Sequence, residues 1–144
     1  MIMDEGRIRR YLQKLELIGL RMENILSWTR GLSVEEFSSD EKTRLATYKA
    51  LQEVIEASMD ICAMMARDLG LCPVDDYSNV EKLTSRGVLK PEMGDFLRRS
   101  NGLRNRLIHE YNRLSDDLIL KFVRSELESF KDFSMVVSEW IQMR

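Results

Sequence analysis

The chain is poor in everything that interrupts a helix. Two prolines and seven glycines in 144 residues leave long uninterrupted stretches. That scarcity excludes a fold of many short strands and tight turns and favours long helices. Cysteine is scarce as well. Cys62 and Cys72 cannot build a disulfide framework, so a reducing compartment is expected. One histidine, His109, and two cysteines ten residues apart offer no metal-ligand cluster, so neither a metal nor another cofactor is expected. No run approaches the roughly 18 apolar residues of a membrane span. The charged start, Met1 to Arg10, holds no apolar stretch of signal length. These absences make a cytoplasmic protein without membrane contact the expectation. A formal net charge of −2 supplies no global basic field to draw in nucleic acid.

What is present fits one globular domain over residues 1–144. Hydrophobic residues at 44% and charged residues at 32% are enough for a core and too balanced for disorder. Ile8, Leu12, Leu15, Ile18, Met22 and Ile25 recur at steps of three and four, which predicts a first helix from about Asp4 to Trp28, ended near Gly31. A polar link through Ser38-Ser39-Asp40 follows. The second helix is expected from about Ser39 to Leu69. Its main stripe runs from Leu45 through Tyr48, Leu51 and Ile55 to Leu69, and Val54, Ile61 and Met64 give a second apolar face. Gly70 and Pro73 stop it. Ser78 with Glu81 three residues on reads as the capping box of a short third helix ending at Gly87. Pro91 opens a fourth that reaches about Leu114. Ser115-Asp116-Asp117 opens a fifth carrying Ile119, Phe122, Phe130, Phe133, Val137 and Trp140. The expected architecture is all-α: an up-and-down bundle of four long helices and one short one.

Charge is uneven along this frame. From Arg86 to Arg113 there are seven Lys and Arg against three Asp and Glu, a local +4 that leaves −6 for the rest. On the wheel of the fourth helix, Phe96, Leu103, Leu107 and Leu114 mark a core side, with Met93 and Tyr111 at its edge. Arg104 falls inside the apolar sector. Asn101, Asn105, Asn112, Arg98 and His109 lie beside it, and Arg99, Arg106, Glu110 and Arg113 on the far side. An arginine among apolar neighbours needs a partner. Glu53, Glu56 and Asp60 on the second helix are the carboxylates at hand, either as a structural ion pair or as supports of a site. The asparagines, weak helix formers, together with His109 and the arginines, describe a polar cleft flanking the core. The nine methionines, Met59, Met64 and Met65 among them, read as core filling.

Arg104-Asn105-x-x-x-His109-x-Tyr111 resembles the active-site motif of HEPN proteins, and of the HepT toxins in particular. The likeness extends through Ala50–Ile61, Leu69-Gly70-Leu71, Tyr77 and Gly87-Val88-Leu89, so it covers nearly the whole chain. It implies a five-helix HEPN bundle and a metal-independent ribonuclease with Arg104 and His109 catalytic. It also implies a homodimer in which two motifs share one cleft. Tyr111 would be the hydroxyl that a cognate MNT-type nucleotidyltransferase antitoxin modifies with AMP. The chemistry suits such a reaction. Cutting RNA beside a 2′-hydroxyl needs proton transfer, which histidine serves near neutrality. It also needs a cation at the phosphate, where arginine offers a fixed fork of donors. Asn105 and Asp60 are the expected supporting residues. The same fold could instead serve a non-catalytic HEPN module that binds nucleotides or scaffolds a nucleotidyltransferase.

Overall fold

The structure is a computed structural model that describes residues 3–110 and 114–144. The described residues form seven helices and no strand. Helix α1 spans Glu5–Thr29, α2 Val34–Ser39, α3 Glu41–Asp68, α4 Asp76–Ser85, α5 Pro91–His109, α6 Asp116–Ser125 and α7 Ser129–Gln142. Four long segments expected from periodicity are present. α6 and α7 share the place of one of them, divided at Glu126–Glu128.

Each boundary has a local cause. Asp4 caps α1 by accepting the Arg7 N–H at 2.8 Å. Gly70 and Gly87, both at positive φ, let the chain leave α3 and α4. Two caps differ from expectation. The short helix starts at Asp76 because Asp75, not Ser78, accepts the capping bond, donated by the Ser78 N–H. The capping box is instead Ser33 with Glu36, which opens the six-residue α2, whose Phe37 is fully buried. α5 is shorter than expected and ends at His109, with the Glu110 N–H donating to the Arg106 carbonyl.

α3 is the central element, packed against α1, α2, α4 and α5. Both apolar faces read from its sequence are covered by the chain itself: Leu51, Val54, Ile55, Ile61 and Cys62 are fully buried. Two residues placed on stripes are not in the core. Leu12 is 53% exposed and Leu45 42%. On α1 the buried neighbour is Tyr11, whose ring meets Trp140 of α7 edge-on at 5.8 Å. Phe96 of α5 packs against Phe130 of α7 at 4.8 Å and Phe122 of α6 at 6.2 Å. This aromatic triad fixes α5 from below.

α4 approaches α5 closely because Gly94 has no side chain. A Cβ there would stand 2.5 Å from Thr84 Oγ1. The approach brings the start of α4 against the middle of α5, with the Tyr77 hydroxyl within 3.6 Å of a Cβ built on Gly102. Asp76, next in sequence to Tyr77, is thereby carried toward Arg104. Beyond the motif, Asp116 ties α6 to α2 and α3. Its carboxylate accepts from Tyr48 Oη at 2.5 Å, Arg44 Nε at 2.9 Å and Ser38 Oγ at 2.6 Å. None of the described helices is long and apolar enough to cross a membrane.

Candidate active site

The site starts from a row of acids. Glu53, Glu56 and Asp60 recur at steps of three and four along α3, so they share a face. α1 runs beside that face with Arg21 and Lys14. Arg21 Nε donates to Glu53 at 2.7 Å, and Lys14 Nζ donates to Asp60 at 2.8 Å. Glu56 pairs across to the other neighbour: Arg104 Nη2 of α5 donates to it at 3.4 Å. Of the three acids considered as partners of Arg104, Glu56 is the one that takes it. Asp60, expected as a supporting residue, is bonded to Lys14 and bears on the site through charge alone.

Arg104 is half-buried, as its wheel position requires. Nη1 donates to Asn105 Oδ1 at 3.2 Å, so Asn105 joins the site directly. Arg104 Nε is buried and has no hydrogen-bond partner among the described residues. The same holds for Asn101 Oδ1, whose residue is 3% exposed. A charge-assisted bond is normally shorter than 3.4 Å. The guanidinium is therefore held in place without all its donors being spent.

His109 is exposed and is the last residue of α5. Five positions separate it from Arg104, about 7.5 Å along the axis and about 140° around it. That spacing sets the two side chains on different sides of α5. Tyr111, the expected AMP acceptor, lies outside the described residues with Asn112 and Arg113.

One residue of the site is not anticipated from sequence. Asp76, at the start of α4, is half-buried beside Arg104, Asp60 and Glu56. Burial pushes its carboxyl above the usual carboxylate range. Arg104 pulls it down, while Asp60, Asp75 and Glu56 push it further up. Its signal is obscured because Asp75-Asp76 ahead of Ser78 reads as helix-start chemistry. Only the Gly94–Thr84 approach turns it into a neighbour of α5. Cys62 lies fully buried nearby. Burial foremost, and then the Asp76 charge, raise its thiol, which leaves it inert. Among the described residues no three His, Cys, Asp or Glu side chains form a metal-holding group.

Comparisons with known proteins agree on one family. The model of the family described as Ribonuclease HepT-like matches residues 8–137. A protein of Archaeoglobus fulgidus, named as a candidate RNase, is 38% identical over 117 residues, 81% of this chain and 82% of its own. The tRNA nuclease HepT of Aphanizomenon flos-aquae is 25% identical over 131 residues, 89% and 87% of the two chains. In fold, the chain matches the tri-AMPylated HEPN toxin of Shewanella oneidensis, solved in complex with its MNT antitoxin. The TM-score is 0.85 at 23% identity, over 95% of this chain and 99% of that one. The match of that family model over residues 8–137, with the Archaeoglobus fulgidus relative beside it, identifies the chain as a member of the HepT-like ribonuclease family.

Proposed function

We propose that the protein is the ribonuclease toxin of a toxin–antitoxin pair, cutting RNA without a metal and silenced by AMP addition at Tyr111. The observation that carries the reading is Arg104. It sits on a shoulder of the core with its side chain 27% exposed, and among the described residues it is steadied by Glu56 at 3.4 Å and Asn105 at 3.2 Å. A structural arginine in such a place would spend its donors. Here the fork is prepared for the phosphate and the charge that develops on it. His109, exposed at the end of the same helix, moves the proton to or from the reacting oxygens. A single chain offers one such histidine, so two copies would together supply both acid and base.

The dimer surface is not the second face of α3, which the chain itself covers. Exposed Leu12, Leu20, Leu26 and Trp28 on α1 are among the large apolar residues left at the surface. Light scattering at micromolar concentration should report a dimer, and a monomer alone would remove the shared cleft from the mechanism. The partner is a cognate MNT-type nucleotidyltransferase, as in the complexes of the structural relatives. Co-expression with it should add the mass of AMP, and Tyr111→Phe should abolish the addition. An unchanged mass shift in Tyr111→Phe would move the acceptor elsewhere. The AMP phosphate would then occupy the place of the substrate phosphate at Arg104.

The toxin reading is tested by induced expression of wild type beside His109→Ala. Wild type should arrest growth with loss of RNA integrity, and His109→Ala should do neither. Equal RNA loss in both would favour a non-catalytic HEPN module and a contaminating nuclease.

A further inference from the structure

The acid row of α3 does not run the helix's full length. Counting from Glu56, Arg67 lies about 17 Å further along α3 and only about 20° around it, on the same face. There the charge reverses. Arg67 meets Arg7 and Arg10 of α1 around a recess of about 100 Å³ floored by Tyr11 and Asp68, and an adjoining, more open recess brings Arg7 and Arg67 together with Arg144 beyond α7. Asp68 is the acid inside it. It accepts from Tyr11 Oη at 2.6 Å and pairs with Arg7 at 3.5 Å. At the rim Asp4 reaches Arg7 at 3.9 Å. Four guanidiniums thus stand against two carboxylates in a chain whose net charge is −2. Arg144 stacks over Trp140 at 4.6 Å, and its Nε is buried with no hydrogen-bond partner among the described residues.

We infer that this arginine recess is a second RNA-backbone site, which holds a phosphodiester of the substrate strand remote from the one cut at Arg104. The inference rests on the ribonuclease reading. Three features carry it. The recess is of phosphate size, and its cations come from separate segments of the chain, so the fold builds it. Arg10 and Arg67 are exposed and take no part in the ion pairs that join α1 to α3. Arg67, at the rim of the recess, also stands about 17 Å along α3 from Glu56 and about 20° around it, so a strand running from Arg104 along α3 reaches it. Guanidinium forks bind phosphate oxygens bidentately, and several together make binding strongly dependent on salt. A site so far from the bond that breaks contributes to binding a long substrate and leaves the chemical step alone.

The test uses the full chain with Arg10→Gln and Arg67→Gln combined. Both positions are exposed, so the fold should survive, and Arg10→Lys with Arg67→Lys controls for charge. On a long RNA the Gln variant should raise KM roughly tenfold with kcat unchanged. On a dinucleotide it should match wild type. The slope of log affinity against log salt should fall by about 0.7 for each phosphate no longer neutralised. The Lys variant should keep the salt slope and lose part of the affinity. Binding is read independently from the change in tryptophan fluorescence of wild type against the Gln variant, since Trp140 lies under Arg144. Long RNA should perturb it and inorganic phosphate should do so far more weakly. An unchanged KM and salt slope in the Gln variant, while wild type cleaves, would overturn the recess and leave the ribonuclease reading intact. Equal response to inorganic phosphate would assign the recess to the free ion instead. If wild type neither cleaves nor binds RNA, both readings fall together.

Discussion

Two ion-paired seams run along α3, and they are built differently. Toward α1, Arg21–Glu53 at 2.7 Å and Lys14–Asp60 at 2.8 Å are short bonds between fully matched partners. Toward α5, Arg104–Glu56 is 3.4 Å long, with a buried Nε lacking a partner among the described residues and a half-buried carboxyl, Asp76, close by. The first seam only joins helices. The second holds a part-exposed cation in position through a longer bond, which suits a binding group better than a purely structural one. Acids on one helix face therefore serve two ends, set by which helix each meets.

Breaking the α5 seam should have the largest effect. Arg104→Ala should lower RNA cleavage by about 10²–10³, the range for removing a donor at developing charge. Its stability cost should be small, roughly 1 kcal/mol, because the abandoned Glu56 side chain is 37% exposed and stays hydrated. Arg104→Lys should recover little activity, since an ammonium lacks the planar fork. Steady-state kinetics beside melting curves separate the two effects. A large drop in Tm with cleavage retained would make Arg104 structural and erase the contrast between the seams.

The anchor behind the motif comes next. Tyr48→Phe removes one of the bonds to Asp116 and should cost about 1–2 kcal/mol by urea unfolding. Acid titration adds a sign. At Asp116 burial opposes the charge, yet the bonds from Ser38, Tyr48 and Arg44 outweigh it and lower its pKa. Its contribution to stability is present above the ordinary aspartate value of about 3.9 and disappears as pH falls through the lower folded value. Asp76 is shifted the other way, by burial first. Its favourable share is present below about 3.9 and is lost as pH rises through the higher folded value. Asp76→Asn should therefore gain stability at neutral pH relative to acid, and Asp116→Asn should lose it. Parallel pH profiles for the two variants would contradict the assignment.

The smallest effect belongs to the α1 seam. Arg21→Ala should change stability by less than about 1 kcal/mol and leave cleavage as in wild type. A loss of activity comparable to that of Arg104→Ala would show that both seams serve catalysis.

Much of this is legible in the residues, and the gaps have physical causes. Asp4, Gly31, Gly70, Gly87 and Pro91 announce helix ends because capping and positive φ are local properties. The Arg104 position on the wheel announces a half-buried cation for the same reason. α2 gives no signal because Val34–Ser39 is too short to show a period. Ser78 resembles a cap in sequence, yet Asp75 competes for the same role and takes it. A wheel gives faces and no neighbours, so it leaves Asn101 in an open cleft, whereas the folded chain buries it. Asp76 enters the site only through the close packing that Gly94 permits. The choice of Glu56 over Glu53 and Asp60 depends on Arg21 and Lys14, which lie on a different helix, α1, and occupy the other two acids.

The most direct test is cleavage of RNA by the purified protein in excess EDTA, wild type against His109→Ala. Wild type should cleave at full rate, and His109→Ala should fold normally and lose about 10²–10⁴ in rate. Cleavage that stops in EDTA and returns with a divalent ion, or a folded His109→Ala that cuts as fast as wild type, would contradict the account.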